Sequence, residues 1–449
     1  MRIIQSGEFD SYWKSAAGRS DDEAVESTVK EIIAAVRAEG DAAVARYAAR
    51  FEKYPVTRFE VPFSEASAAV NELRSNAPEL AAAMELAAQH IKRFSLVQKA
   101  QFADFEYEMD EGVLAGQRVI PVQKAAVYAP GGRFPLFSSV LMGLIPAFCA
   151  GVEELVLASP PQERGLPSRN ILAAAGIAAQ TCGAAGNVPA PLTRVRVFSL
   201  GGAQAIAALA LGTETVPRVD LIAGPGNKYV ACAKRLLFGE VGIDFIAGPT
   251  DVLIIADGEA DGCADLAAAD MLAQAEHDPD ARARCLVPDM ELARRVASAL
   301  DKRLESLPAA ARASLDSGGL IITYKNQEEA IRIANIIAPE HLELQMPDPE
   351  PWIPHLKNYG SLFIGTLSAE VLGDYSAGIN HTLPTSGSAR FTGGLSVRHF
   401  LKTVTTLRCS PGAGYDAALR AAEILAAAEG LAAHAASAVA RRRSELITK

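Results

Sequence analysis

The sequence contains six cysteines, and no two of them form a C-x-x-C pair. Cys149, Cys182, Cys232, Cys263, Cys285 and Cys409 are scattered, which fits neither a disulfide framework nor a thiolate zinc site and predicts inert thiols in a cytosolic chain. Basic residues are also short: 43 Lys plus Arg stand against 53 Asp plus Glu, a formal net charge of −10. A general nucleic-acid or anionic-membrane binder needs the opposite balance, because phosphates are met by Lys and Arg. The opening Met-Arg-Ile-Ile-Gln-Ser-Gly-Glu-Phe-Asp reaches acidic residues before a signal-peptide apolar region could form, so no export is expected. Two uncharged stretches, 134–152 and 170–193, are long enough to test as membrane spans. The first carries Pro135 and Pro146 and the second several Gly, Asn and Pro, which favours buried structure in a soluble, cytoplasmic protein.

What is present is apolar enough to fold. At 449 residues with 49% hydrophobic and 21% charged, the chain can bury sizeable cores, and a soft prior of roughly 150 residues per domain gives about three units. From Asp21 to about Ile91 the pattern is helical: Val25, Val29, Ile32, Ile33 and Val36 recur at spacings of three and four, and a second Ala- and Leu-rich stretch runs from Pro78 to His90. From Lys124 the period changes. Strand-like runs at 125–128, 154–158, 194–198, 219–222 and 252–256 alternate with helix-like segments at 138–150, 171–179, 203–211, 228–238 and 263–276. Such alternation implies an α/β fold with parallel sheets built from β-α-β units. Further strands are expected at 284–287, 320–324 and 361–364, then a Gly-, Ser- and Asn-rich stretch suited to functional loops, then one Ala-rich helix over 415–447. The basic residues 441–443 suit the end of that helix, where the macrodipole favours cations.

The chemistry-bearing residues fall in a few places. Tyr128-Ala-Pro-Gly-Gly132 and Gly224-Pro-Gly-Asn227 each follow an expected strand and precede a helix, where backbone N–H groups can receive a pyrophosphate. Neither is G-x-G-x-x-G, and Gly226-Asn-Lys-Tyr229 is not a Walker lysine motif, so tight turns explain these glycines equally well. Gln274-Ala-Glu-His277 puts two potential ligands on one helical face before Asp278-Pro279 stops the helix. Asp374 to His381 supplies a carboxylate and an imidazole in a glycine-bearing loop. Glu340-His341 sets an acid beside a base near an expected turn. Taken singly, each reads better as a helix cap or a surface histidine than as a functional group. His90, His355 and His399 have no supporting context.

Taken together, these stretches resemble the histidinol dehydrogenase family. The matching segments include 127–132, 139–142, 201–206, Gly224-Pro-Gly-Asn227, 233–235, Ala273-Gln-Ala-Glu-His-Asp278, Ala338-Pro-Glu-His-Leu-Glu-Leu344, Asn380-His-Thr-Leu-Pro-Thr-Ser-Gly387 and Glu429-Gly-Leu-Ala-Ala-His434, in the family's order. The resemblance implies zinc- and NAD-dependent oxidation of L-histidinol to L-histidine through L-histidinaldehyde, the last step of histidine biosynthesis. It implies zinc held by Gln274, His277, Asp374 and His434, the last from the partner of an intertwined homodimer with shared active sites. Glu340 and His341 would be the acid–base pair, and Tyr128, Gln204 and Asn227 would contact NAD. Thr250, His381 and Glu429 would line the substrate pocket, with His341 and the zinc ligands also touching substrate and Glu429 pairing with its ammonium. The implied fold has two incomplete Rossmann-like domains with helical terminal segments. Its parts would be a helical arm and small-domain segment at 1–123, an NAD-binding domain at 124–240, a second domain carrying zinc and catalytic residues at 241–380, and a loop and helical tail at 381–449 that reaches the partner.

Three features depart from the family pattern. Gly248-Pro-Thr250-Asp251 stands where Gly-Pro-Ser-Glu is common, adding a methyl group at the substrate hydroxyl. Residues 181–192 read as a surface insertion. The segment 392–404 resembles dehydrogenases of other small polar alcohols, such as sulfopropanediol, as much as it does the histidinol enzyme, which leaves that substrate class as the rival reading.

Overall fold

A computed structural model describes residues 1–16, 23–131, 135–183, 194–258, 262–304 and 308–442. The chain divides into two compact units. The first comprises Met1–Val97 and Val122–Phe400, and the second comprises Gln98–Pro121 and the chain from Leu401 onward.

The strands are named in chain order. β1 (Arg2–Gln5) and β2 (Glu60–Val61) lie in the helical N-terminal part, followed by β3 (Phe105–Asp110) and β4 (Val113–Pro121). β5 (Lys124–Tyr128), β6 (Glu154–Ser159), β7 (Arg194–Ser199), β8 (Leu221–Ala223) and β9 (Gly242–Ile243) build a first sheet with β2. β10 (Asp251–Ala256), β11 (Arg282–Val287), β12 (Leu320–Thr323), β13 (His341–Gln345) and β14 (Ser361–Ile364) build a second with β1. β15 (Leu401–Cys409) pairs antiparallel with β4 in a three-stranded sheet of the second unit.

The two large sheets share one topology. The first runs β2-β7-β6-β5-β8-β9 and the second β1-β12-β11-β10-β13-β14. Apart from the edge strands β1 and β2, each lays out its five sequential strands as third, second, first, fourth, fifth, and those strands are parallel. This is the doubly wound order, in which the strand sequence reverses beside the first strand and opens a crevice there. The fold is therefore α/β with two incomplete Rossmann-like sheets. Helices cover both faces, so most of these strands are rich in buried apolar side chains: Val127, Leu155, Leu157, Leu253 and Ile255 are fully enclosed. Removing one such side chain to Ala costs about 2–5 kcal/mol.

The described parts of both uncharged stretches belong to this core. Phe137–Ala150 and Arg169–Gly183 are helices whose middle residues are buried, and no described helix is long and apolar enough to cross a membrane. Of the expected insertion, only 181–183 falls among the described residues, as the end of the second of these helices. The single tail helix expected over 415–447 is two helices, Ala413–Ala428 and Ala432–Arg442. They break at Glu429-Gly430, where Gly430 adopts φ +79°, a left-handed conformation that glycine takes without a Cβ penalty. Arg443 and the residues after it lie outside the described chain, as does Gly132.

Candidate active site

The site grows from the amino ends of β10 and β13. Their register sets Val252 beside His341, which brings Asp251 next to Glu340. The two residues clasp each other: Glu340 N donates to Asp251 Oδ1 and Asp251 N donates to Glu340 Oε2, both at 3.1 Å. Arg284, buried on β11, anchors the other Asp251 oxygen at 2.8 Å. The chain reaches this point because the helix Gln327–Ile337 ends at Ala338 in a left-handed conformation, φ 51°, before Pro339. The expected turn at Glu340-His341 is thus the entrance to a central strand. The Thr250 hydroxyl donates to Glu340 Oε2. Burial pushes the Glu340 carboxyl up to about 7, against the opposing pull of His341 and the Thr250 hydrogen bond.

A short helix, Glu370–Tyr375, supplies the facing acids. Glu370 and Asp374 are four residues apart and share a helical face. His341 lies between them, with Nδ1 3.5 Å from Glu370 Oε1 and Nε2 3.6 Å from Asp374 Oδ1. One donor atom from each of the three falls within 4.8 Å of the others. Glu343, two residues along β13 on the same face as His341, accepts from Glu370 N at 3.0 Å and so fixes the helix start. Asp374 was expected in a loop; it stands on this helix, and the glycine-bearing loop begins after it.

Electrostatics make the cluster a seat for positive charge. Burial works against the His341 imidazolium, but the carboxylates of Glu370, Glu340 and Asp374 outweigh it and hold its pKa well above the usual range. Burial raises Glu370 strongly. Asp374 is held low despite burial by His341, and further by His381 and His277. Burial lowers His381, whose Nε2 lies 3.2 Å from Ser138 Oγ.

Gln274 and His277 are divided by the end of the helix Cys263–Ala275. Gln274 is fully buried on its last turn, and His277 lies beyond the cap and is exposed, so the two are not on one regular helical face. One amide atom of Gln274 lies 2.5 Å from Glu370 Oε1 and the other 2.6 Å from the Thr250 hydroxyl. With nitrogen toward Glu370 the contact is a hydrogen bond. With oxygen toward it, two oxygens face each other, and a proton on Glu370 or a bound cation is needed to relieve them. His341 Nε2 and Glu370 Oε2 are buried with no hydrogen-bond partner among the described residues. A buried nitrogen–oxygen donor set with spare acceptor atoms fits a borderline divalent ion such as zinc. Glu370 was not foreseen, although its i, i+4 spacing from Asp374 was legible.

The second cluster lies at the carboxyl ends of the first sheet, at its switch point between β5 and β8. Gly224 ends β8 at φ +111°, and a Cβ there would meet Tyr128 O at 2.2 Å, so this turn needs glycine. Lys234 and Asp244, both buried, pin it: Lys234 Nζ donates to Gly224 O at 2.9 Å and Gly224 N donates to Asp244 Oδ2 at 2.8 Å. Asn227 is exposed and caps the helix Lys228–Leu237, accepting from Tyr229 N and Val230 N at 3.0 and 3.1 Å. Tyr128 and Gln204 are buried beneath. The Tyr128 hydroxyl accepts from Gly202 N at 3.1 Å, and Gln204 Nε2 donates to Glu52 Oε1 at 3.3 Å.

Glu429 and His434 belong to the second unit. Both are exposed, Glu429 at the end of the helix Ala413–Ala428 and His434 within Ala432–Arg442.

Comparison with known proteins decides what this scaffold is. Residues 15–442 match the family model for histidinol dehydrogenase. A histidinol dehydrogenase from Thermus thermophilus is 46% identical over 427 residues, covering 95% of this chain and 96% of its own. The chain belongs to the histidinol dehydrogenase family. Another relative of that description, from Pseudomonas aeruginosa, is 42% identical over 438 residues, with 95% and 92% covered. The crystal structure of histidinol dehydrogenase from Elizabethkingia anophelis is similar at a TM-score of 0.87 and 33% identity, covering 99% of this chain and 98% of that one. Membership makes the chain an oxidoreductase of the histidinol dehydrogenase type, acting on an amino alcohol.

Proposed function

We propose that this chain oxidises L-histidinol to L-histidine through L-histidinaldehyde, using zinc and two NAD, as the last step of histidine biosynthesis. The observation that carries this reading is the convergence of His341, Glu370 and Asp374, with Glu340 Oε2 4.0 Å from the same imidazole. Gln274, His277 and Asp374 would hold zinc from one chain, and His434 from a second copy would complete the set. A zinc ion held by these residues would polarise the alcohol oxygen and ease loss of its proton. NAD supplies the hydride acceptor.

The chain's own side chains do the proton work. Two acceptors are needed, because a proton leaves the alcohol in the first oxidation and water must be deprotonated before the second. Glu340 fills one of those roles, and His341 fills the other once a bound cation has taken up the carboxylate charge that otherwise keeps its imidazolium protonated. A carboxyl raised to about 7 can take and give a proton near neutrality, which an ordinary surface glutamate does poorly. Glu370 steadies the imidazole and the Gln274 amide. Thr250 and His381 line the substrate, and Glu429 from the second copy pairs with its ammonium.

The switch-point crevice between β5 and β8 is where doubly wound sheets take dinucleotides. Asn227, exposed at a helix N-terminus, suits a cofactor phosphate. Tyr128 and Gln204 shape the crevice floor. A homodimer with shared sites is supported by β3, exposed along its length with Phe105 at 56%, Tyr107 at 66% and Met109 at 65%. Scattered cysteines without a disulfide fit the cytoplasm.

Zinc-loaded enzyme given NAD and L-histidinol should form two NADH per L-histidine. Turnover of a sulfonated diol with none of L-histidinol would overturn the assignment in favour of the rival alcohol class.

A further inference from the structure

The first sheet's crevice contains an acid that the proposed reaction does not use. Glu52 follows the helix Asp41–Phe51 and reaches the carboxyl ends of β5, β6 and β7. Its Oε1 accepts from Gly201 N at 2.8 Å and from Gln204 Nε2 at 3.3 Å. Its Oε2 is buried and has no hydrogen-bond partner among the described residues. Burial pushes this carboxyl up to about 7, against those two hydrogen bonds.

Three observations say what belongs beside it. First, Gly201 and Gly202 open the helix Gly202–Leu211, a position that ordinarily receives an anion. Here Gly201 N is taken by Glu52 and Gly202 N by the Tyr128 hydroxyl, so a phosphate would have to displace one of them. The free acceptor calls for a donor such as a hydroxyl. Second, doubly wound dinucleotide folds place a ribose-reading acid at the end of the second strand. In this sheet that strand is β6, which runs out as Ser159-Pro160-Pro161-Gln162; the first acid after it, Glu163, lies four residues past the strand end and is exposed. Third, Glu52 reaches that same edge from another direction, because Gly201, its hydrogen-bond partner, packs so close to Pro160 that a Cβ would lie 2.7 Å from the proline ring.

We infer that Glu52 is the cofactor-selecting residue of this crevice, accepting from the vicinal hydroxyls of the NAD adenosine ribose and rejecting the 2′-phosphate of NADP. The inference rests on the reading that NAD occupies the crevice. A carboxylate already holding one backbone N–H and one amide is aimed, so two further hydroxyl donors bind it at little ordering cost. With that carboxyl ionised, a phosphate in the same place sets like charges together in a site of low dielectric.

The test is calorimetric binding of ADP-ribose and 2′-phospho-ADP-ribose to the full-length, zinc-loaded enzyme, together with kcat/KM for NAD and NADP. The wild type should bind ADP-ribose and discriminate against the phosphorylated probe by about 100-fold. Glu52→Gln should weaken ADP-ribose by about 10- to 100-fold and shift the NAD to NADP preference by a similar factor, while Glu52→Asp keeps the preference for NAD. Equal binding of the two probes by the wild type overturns the inference even if both variants fail to fold. An unchanged preference in a folded Glu52→Gln enzyme that still reduces NAD also overturns it and leaves the NAD reading standing. Absence of any NAD or ADP-ribose binding removes both.

Discussion

The Asp374 carboxylate lies 3.6 Å from Nε2 of His341, although 33 positions of sequence separate the two and each belongs to a different element. This pairing joins a proposed metal ligand to a proposed base, so the two functions should fail separately when each is altered. Asp374→Asn should lower bound zinc to well below one per chain and cut turnover more than about 100-fold, with circular dichroism unchanged. Full zinc occupancy in the variant would remove Asp374 from the ligand set.

Glu340→Gln makes the complementary prediction. Metal content should stay near the wild-type value while kcat falls about 10²- to 10⁴-fold. The carboxyl must be ionised to act as a base, and burial raises it to about 7. In the wild type the rate should therefore rise as pH increases through that region, and this limb should be absent from the residual activity of the variant. Wild-type turnover in the variant would reject the role.

The fold was largely legible, and the reasons it was not everywhere are physical. Eight of the ten β-α-β strands, all but β9 and β13, were visible in the sequence because sheets covered on both faces need no regular polar alternation. β13 was not, because His341, Glu343 and Gln345 put polar side chains at alternate positions while remaining buried. Periodicity reads such a strand as half-exposed. The helix Glu370–Tyr375 is six residues long, too short to show a 3.6-residue period, so Glu370 went unseen. The resemblance named Gln274, Glu340, His341 and Asp374 together, and the fold draws their side chains into one cluster, but which oxygen faces which nitrogen is visible only in the structure.

Arg284 and Asp251 form a pair whose side chains are 6% and 8% exposed. Removing one partner strands a buried charge, so Arg284→Met should destabilise the enzyme by about 3–5 kcal/mol, measured by denaturant unfolding. Because Asp251 also braces Glu340, the surviving folded fraction should show reduced kcat at unchanged zinc content. A loss of stability below about 1 kcal/mol would mean that the pair does not hold the site together.

Shared active sites can be tested by mixing subunits. His434→Ala and Glu340→Gln should each be nearly inactive as pure homodimers. If His434 acts across the interface, reassorted mixtures place both lesions in one site of each hybrid and leave the other site intact. A one-to-one mixture should then recover about one quarter of wild-type activity. No recovery, with hybrid formation verified by mass spectrometry, would place His434 in the site of its own chain or outside any site.

The most direct test of the whole account is the stoichiometry of a single assay: NADH formed per L-histidinol consumed by the purified, zinc-loaded enzyme. The account predicts two NADH, with L-histidine as the product and no aldehyde released. One NADH with free aldehyde, or no NADH from L-histidinol alongside turnover of another small polar alcohol, would contradict it.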